Sequence, residues 1–180
     1  RKQYLMRPDL GRQLRAASTA LLASQVTGRD LTIVIADGLS AQAAQRHAMP
    51  VLQALLPLLS AENCTVAPLV LLHNGRVAAG DAAAAALKTR CVLVLIGERP
   101  GLSSPDSLGA YITWAPSPAT SDADRNCISN IRPEGLPAVA AAAKIAWLLG
   151  RMRALQASGV QLKDGMDALP GAGEQGLAAP

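Results

Sequence analysis

Two stretches constrain this chain more than any others. "CVLVLIG", Cys91 to Gly97, and "LTIVIA", Leu31 to Ala36, are apolar almost without a break. A strand with one wet face alternates polar and apolar residues, whereas a strand apolar throughout is covered on both faces. Both stretches stop abruptly at polar residues, Asp37-Gly38 and Glu98-Arg99-Pro100-Gly101. Helical patterns supply the cover. Ala41 to about Ser60 reads as a helix capped by Ser40, with Pro50 and Pro57 expected to kink or split it. "VAAGDAAAAALKT" reads as a short Ala-rich helix. Pro137 to about Gln156 reads as another, with Ile145, Leu148, Met152 and Leu155 along one face. Ahead of the first strand, Pro8 to Gln25 puts Leu10, Leu14, Ala17 and Leu21 on one helical face. Two further strands are "VAPLVLL", Val66 to Leu72, held to an edge or shortened by Pro68, and "AYITWAP", Ala110 to Pro116. Strands alternating with helices predict an α/β fold: an open, mostly parallel, doubly wound sheet with helices on both faces.

The chain has 180 residues, enough for one domain with a sizeable core. That core rests on Leu, Ile, Val and Ala, since there are two Trp, two Tyr and no Phe. The domain is expected to run over residues 1–162. The Gly, Ala and Pro content of 163–180 predicts a loose tail. No apolar run reaches the roughly 18 residues of a membrane span. The net charge of +4 includes Arg1, Lys2, Arg7, Arg12 and Arg15, read as a solvated face rather than a nucleic-acid footprint. Cys64, Cys91 and Cys127 are odd in number and contain no CxxC, so they read as free thiols in a reducing cytosol, Cys91 buried. No signal peptide is visible, and a first residue other than Met marks the chain as an expected piece of a longer one.

In open α/β sheets ligands bind beyond the carboxyl ends of the strands. Three such ends are polar here: Asp37-Gly38-Leu39-Ser40, His73-Asn74-Gly75-Arg76 and Glu98-Arg99-Pro100-Gly101. They are expected to share one rim. No GxGxxG follows the first strand and no GxxxxGK[ST] exists, which removes the main support for dinucleotide and P-loop readings. Two His, His47 and His73, do not make a metal site by themselves, and His47 reads as a surface or packing residue. Cys127 lies near Asp124 and Arg125, where a cation could activate a thiol. Ser40 reads as a cap before it reads as a nucleophile. Glu98 reads either as a strand-end ion pair with an Arg or as part of the rim. The polar stretch Pro116 to Leu136 has no periodicity and is read as a long loop, either disordered or ordered by a ligand or partner.

Five motifs, "RPDLGR" (Arg7 to Arg12), "IADGLSA" (Ile35 to Ala41), "GRV" (Gly75 to Val77), "IGERPGLSSPDSLGAY" (Ile96 to Tyr111) and "DADRNCISNIRPEG" (Asp122 to Gly135), occur in order. Together they resemble the small subunit of ethanolamine ammonia-lyase, from about Arg7 to Leu162. The resemblance implies a Rossmann-like subunit of an adenosylcobalamin-dependent lyase that converts ethanolamine to acetaldehyde and ammonia by radical rearrangement. It implies a large TIM-barrel subunit that carries the substrate site, with the cofactor between the two subunits. It also implies a hetero-oligomer, cytoplasmic and often tied to a bacterial microcompartment, in which this chain is not catalytic alone. The family's cofactor contacts map onto Val77, Glu98 and Cys127. Glu98 is expected to accept from amide donors of the corrin edge, and Val77 and Cys127 to give backbone groups or packing. Neither His has the DxHxxG spacing of cobalt-ligating domains, so no cobalt ligand is expected from this chain. An isolated chain is expected to expose apolar surface. Two rival readings stay open: a stand-alone hydrolase using Cys127 or Ser40, and a scaffold subunit that binds no cofactor.

Overall fold

The two unbroken apolar stretches pair with each other at the centre of the molecule. In the computed structural model, which describes residues 2–102, 104 and 106–162, they are β1, Leu31–Ala36, and β3, Cys91–Gly97. They run parallel, from Leu31 opposite Cys91 to Ala36 opposite Ile96. Every residue of β3 is buried. β2, Val70–Leu72, lies parallel on the far side of β1. Its predicted start, Val66, makes only an isolated bridge to Leu31, because Pro68 has no N–H to continue a ladder. β4, Leu108–Trp114, and β5, Arg125–Ile131, complete a sheet of order β2-β1-β3-β4-β5.

The mostly parallel sheet needs one refinement. β4 is antiparallel to both β3 and β5. Four of the five strands therefore point the same way, but only two of the four pairings are parallel. The physical reason is the connection. The described residues of 98–107, which join β3 to β4, form no helix, and a parallel return needs a crossover of a dozen or more residues, usually helical.

Helices cover both faces, as expected. α3, Ala41–Ala61, and α5, Ala138–Leu155, pack on one face over Leu31, Ile33, Leu93, Leu95, Ala110 and Ile112. α4, Ala79–Leu87, packs on the other over Val34, Val92 and Val94, with α2, Ala16–Ala23, outside it. A short α1, Lys2–Met6, precedes a 3-10 turn at Leu10–Arg12. The single helix expected over Pro8 to Gln25 is thus broken in two, and α2 has no buried residue. Leu14 and Leu22 only partly pack, and Leu21 is 63% exposed.

Two other expectations are corrected. α3 continues through both prolines. A proline leaves the carbonyl four residues earlier without its helical donor. Here those carbonyls belong to Arg46 and Gln53, and both residues, like Pro50 and Pro57, are exposed, so water takes the donor's place. The stretch Pro116 to Leu136 is not a structureless loop. It contains a 3-10 turn, Asp122–Asp124, and then β5, ordered by pairing with β4. Among the described residues no helix is long and apolar enough to cross a membrane. The predicted tail, 163–180, lies outside the described residues.

Candidate functional site

The carboxyl ends of β1, β2, β3 and β5 share one rim, and hydrogen bonds lock its turns together. Asn74 N–H donates to Asp37 Oδ1 at 2.8 Å, and Leu39 N–H donates to the Gly97 carbonyl at 2.9 Å. Gly38 is what allows this approach. Its φ is +54°, and a Cβ there would fall 2.5 Å from Ile96 Cγ1. The expectation of one shared rim is met.

On the α4 side of this rim lies a cleft of about 440 Å³, lined in part by Arg76, Val77, Glu98, Arg99, Tyr111 and Ser129. It exists because α4 covers β1 and β3 but leaves the same face of β4 and β5 partly open. There Tyr111 is half-buried, while Cys127 and Ser129 are exposed. Val77 and Glu98 therefore meet in one cleft. Cys127 stands beside it, directly opposite Tyr111 in the β4–β5 register and within hydrogen-bonding reach of the Tyr111 phenol. It sits on a strand, not in the long loop expected from sequence.

Among the described residues Glu98 makes no ion pair with an Arg. Its carboxylate accepts from Ser107 Oγ at 2.6 Å, from the Asn130 N–H at 3.1 Å and from Ser129 Oγ in a short bond. Arg76 is held from three sides. Its N–H donates to the Gly11 carbonyl at 2.7 Å, and its Nη2 donates to the Tyr4 carbonyl at 3.2 Å. Its guanidinium lies 4.2 Å from the centroid of the Tyr4 ring. Arg76 Nε is buried and has no hydrogen-bond partner among the described residues.

The nucleophile candidates look different in this setting. Ser40 Oγ accepts from the Ala43 N–H at 3.2 Å, capping α3, and the residue is buried. Desolvation against the sheet raises the Cys127 thiol pKa; the Tyr111 hydrogen bond lowers it, and the nearby Glu98 charge raises it further. The net shift is upward, so the thiol stays protonated near neutral pH. No base or cation stands among those influences, and a nucleophilic thiol requires one. His47 Nε2 lies 3.5 Å from Asp106 Oδ2, and His73 lines a separate, larger cleft at the β2 edge. All three cysteines are free, Cys64 and Cys91 buried.

The groups that face the cleft are a carboxylate, hydroxyls and two guanidiniums at its wall, with Gly38 and Gly97 bringing backbone close. That set suits the carboxamides or phosphate oxygens at the edge of a broad ligand. Sequence reasoning missed Arg76 as an individual residue, along with Tyr111, Ser107, Ser129 and Asn130. Only the strand register brings them to Glu98, and the one local signal was Asn130, a residue type that tolerates the left-handed φ of +59° found there.

Comparison with known proteins bears on what the ligand is. Residues 1–163 match the family model described as Ethanolamine ammonia-lyase light chain (EutC). Curated relatives described as ethanolamine ammonia-lyase small subunit include that of Azotobacter vinelandii, 53% identical over 168 residues, and that of Ralstonia nicotianae, 51% identical over 168. That of Bradyrhizobium diazoefficiens is 53% identical over 167 residues. Each match covers 91% of this chain, and 62%, 62% and 64% of the respective relative.

Proposed function

Because this chain belongs to the ethanolamine ammonia-lyase light-chain family, we propose that it closes over adenosylcobalamin against a large catalytic subunit that converts ethanolamine to acetaldehyde and ammonia. One observation carries the reading. Val77 and Glu98, far apart in sequence, line one cleft, and Cys127 stands next to it across Tyr111. The cleft is too small and too open to enclose a corrin. It fits a surface that covers one side of the cofactor while a TIM-barrel partner, carrying the substrate site, covers the other.

In this reading Glu98 and the rim backbone meet carboxamide arms, Val77 packs against the macrocycle, and Cys127 presents backbone and a neutral thiol. Arg76 donates to an amide carbonyl or phosphate oxygen at the edge. When bound, adenosylcobalamin supplies the radical chemistry of the rearrangement. The work of this chain is to bind, orient and keep water from it. Both imidazoles lie away from the cleft, so neither would serve as a cobalt ligand from this chain. Leu10 and Leu71, 47% and 69% exposed on the larger cleft, leave apolar surface of the kind expected of a chain with a partner. The reading carries with it a cytoplasmic home, in or beside a bacterial microcompartment, to which the three free thiols are suited.

Equilibrium dialysis of hydroxocobalamin tests the proposal, with the large subunit alone, with this chain added, and with its Glu98→Ala variant. Tighter binding on adding this chain, weakened about tenfold by the variant as expected for a lost charge-assisted bond, supports it. Equal binding in all three arms makes this chain a scaffold.

A further inference from the structure

The carboxylate of Glu98 is largely occupied inside the chain. A carboxylate has about four lone-pair sites, and three are taken by Ser107 Oγ, Ser129 Oγ and the Asn130 N–H. These donors come from two separate segments, the loop before β4 and the far end of β5. Glu98 itself follows β3. One side chain thus ties together three pieces of the rim.

What it ties down on β5 is irregular. The β4–β5 register shifts between Leu108 and Ala110, so that Ala110 faces Ile128 and Leu108 faces Ile131. β5 therefore carries one extra residue, a bulge at Ser129–Asn130. Asn130 sits at φ +59°, a conformation costly for most residues and tolerated by Asn. Its other groups are also engaged. Asn130 Oδ1 accepts from Ser104 Oγ at 2.9 Å and from Arg132 Nε at 2.8 Å, and its carbonyl accepts from the Leu136 N–H at 2.9 Å. Gly109, opposite the bulge, has no room for a side chain, since a Cβ would lie 2.9 Å from Glu98 Oε1.

We infer that Glu98 and Asn130 form a latch that holds the β5 bulge, and through it the Tyr111–Cys127 wall of the cleft, in the geometry that receives the cofactor edge. Asn130, Ser129 and Ser107 are positioning residues. They act through the shape of the wall, and Glu98 keeps one lone pair for the ligand. The inference rests on the cobalamin reading above and adds how its site is set.

The test uses the assembled complex of this chain with its large subunit and three variants. Asn130→Gly keeps the backbone donor to Glu98 and accepts φ +59° without strain, so the chain folds and only the other half of the latch, the side-chain bonds from Ser104 and Arg132, is lost. Ser129→Ala removes one donor, and Ser129→Thr restores a hydroxyl. Amide exchange at residues 127–131 and the KM for adenosylcobalamin are measured against kcat. The expected result is faster exchange at the bulge and a KM raised about tenfold, more than kcat falls, in Asn130→Gly and Ser129→Ala, as for loss of a bond to a charged group. Ser129→Thr recovers toward the parent. Unchanged exchange and unchanged KM in both variants, in a parent complex that binds hydroxocobalamin, overturns the latch alone. A parent complex that binds no hydroxocobalamin overturns the reading on which it rests.

Discussion

At the scale of single residues, neighbours decide chemistry that residue type leaves open. Cys127 has the exposure of a reactive thiol, but desolvation and the Glu98 charge hold its pKa above the ordinary 9.0. Labelling of this chain with iodoacetamide should therefore give a Cys127 pH profile with its midpoint above 9.0. A midpoint near neutrality would restore the nucleophile reading. Asp30 shifts the other way. Hydrogen bonds from Thr65 Oγ1 at 2.6 Å and Thr65 N–H at 2.9 Å hold its carboxyl below the ordinary 3.8. A carboxyl more acidic in the folded state stabilises the fold above its unfolded value and loses that contribution as pH falls through its folded one. Asp30→Asn should cost about 1 kcal/mol at pH 7 and lose less stability than the parent on going from pH 5 to pH 2. Urea unfolding at several pH values reads both effects.

At the scale of elements, one buried pair joins what the backbone does not. Arg125, at the start of β5, makes a bidentate contact with Asp81 in the first turn of α4, at 2.8 and 2.7 Å. The side chains are 3% and 12% exposed. Asp81→Ala leaves a buried guanidinium with only Thr113 Oγ1 at 3.1 Å and the exposed Asp122 carboxylate at 3.6 Å, and should cost about 3 kcal/mol, measured by denaturant unfolding. A loss under about 1 kcal/mol would mean that water replaces the carboxylate, as at an exposed pair. The prolines of α3 predict a gain instead. Pro50→Ala restores a donor for the Arg46 carbonyl and should raise stability by about 2 kcal/mol. The same elements show what a sequence reveals. β1 and β3 were legible to the residue because burial on both faces writes a continuous apolar run. β5 was not. Its buried residues, Arg125, Ile128 and Ile131, do not alternate: Arg125 and Ile128 lie on opposite faces, the bulge adds a residue between Ile128 and Ile131, and one of the three is charged. The expected kink or split of α3 rests on Pro as a strong local signal, whereas the exposure that lets the helix run on is visible only in three dimensions. Glu98 and Val77 were legible through their motifs, whereas Tyr111 and Asn130 enter the site through strand pairing alone.

At the scale of the whole molecule, the sheet leaves one half-face open beside its carboxyl rim, and the residues singled out by the motifs gather there. In the proposed function a surface of this kind covers a large ligand from one side and leaves the rest to a partner. This chain spans 62% of the length of the Azotobacter vinelandii relative. The direct test is acetaldehyde formation from ethanolamine and adenosylcobalamin by the large subunit, with this chain titrated in. The account predicts turnover that appears with added chain and saturates, with a lower cofactor requirement as the chain approaches saturation. Full turnover by the large subunit alone, unmoved by this chain at any cofactor concentration, would contradict it.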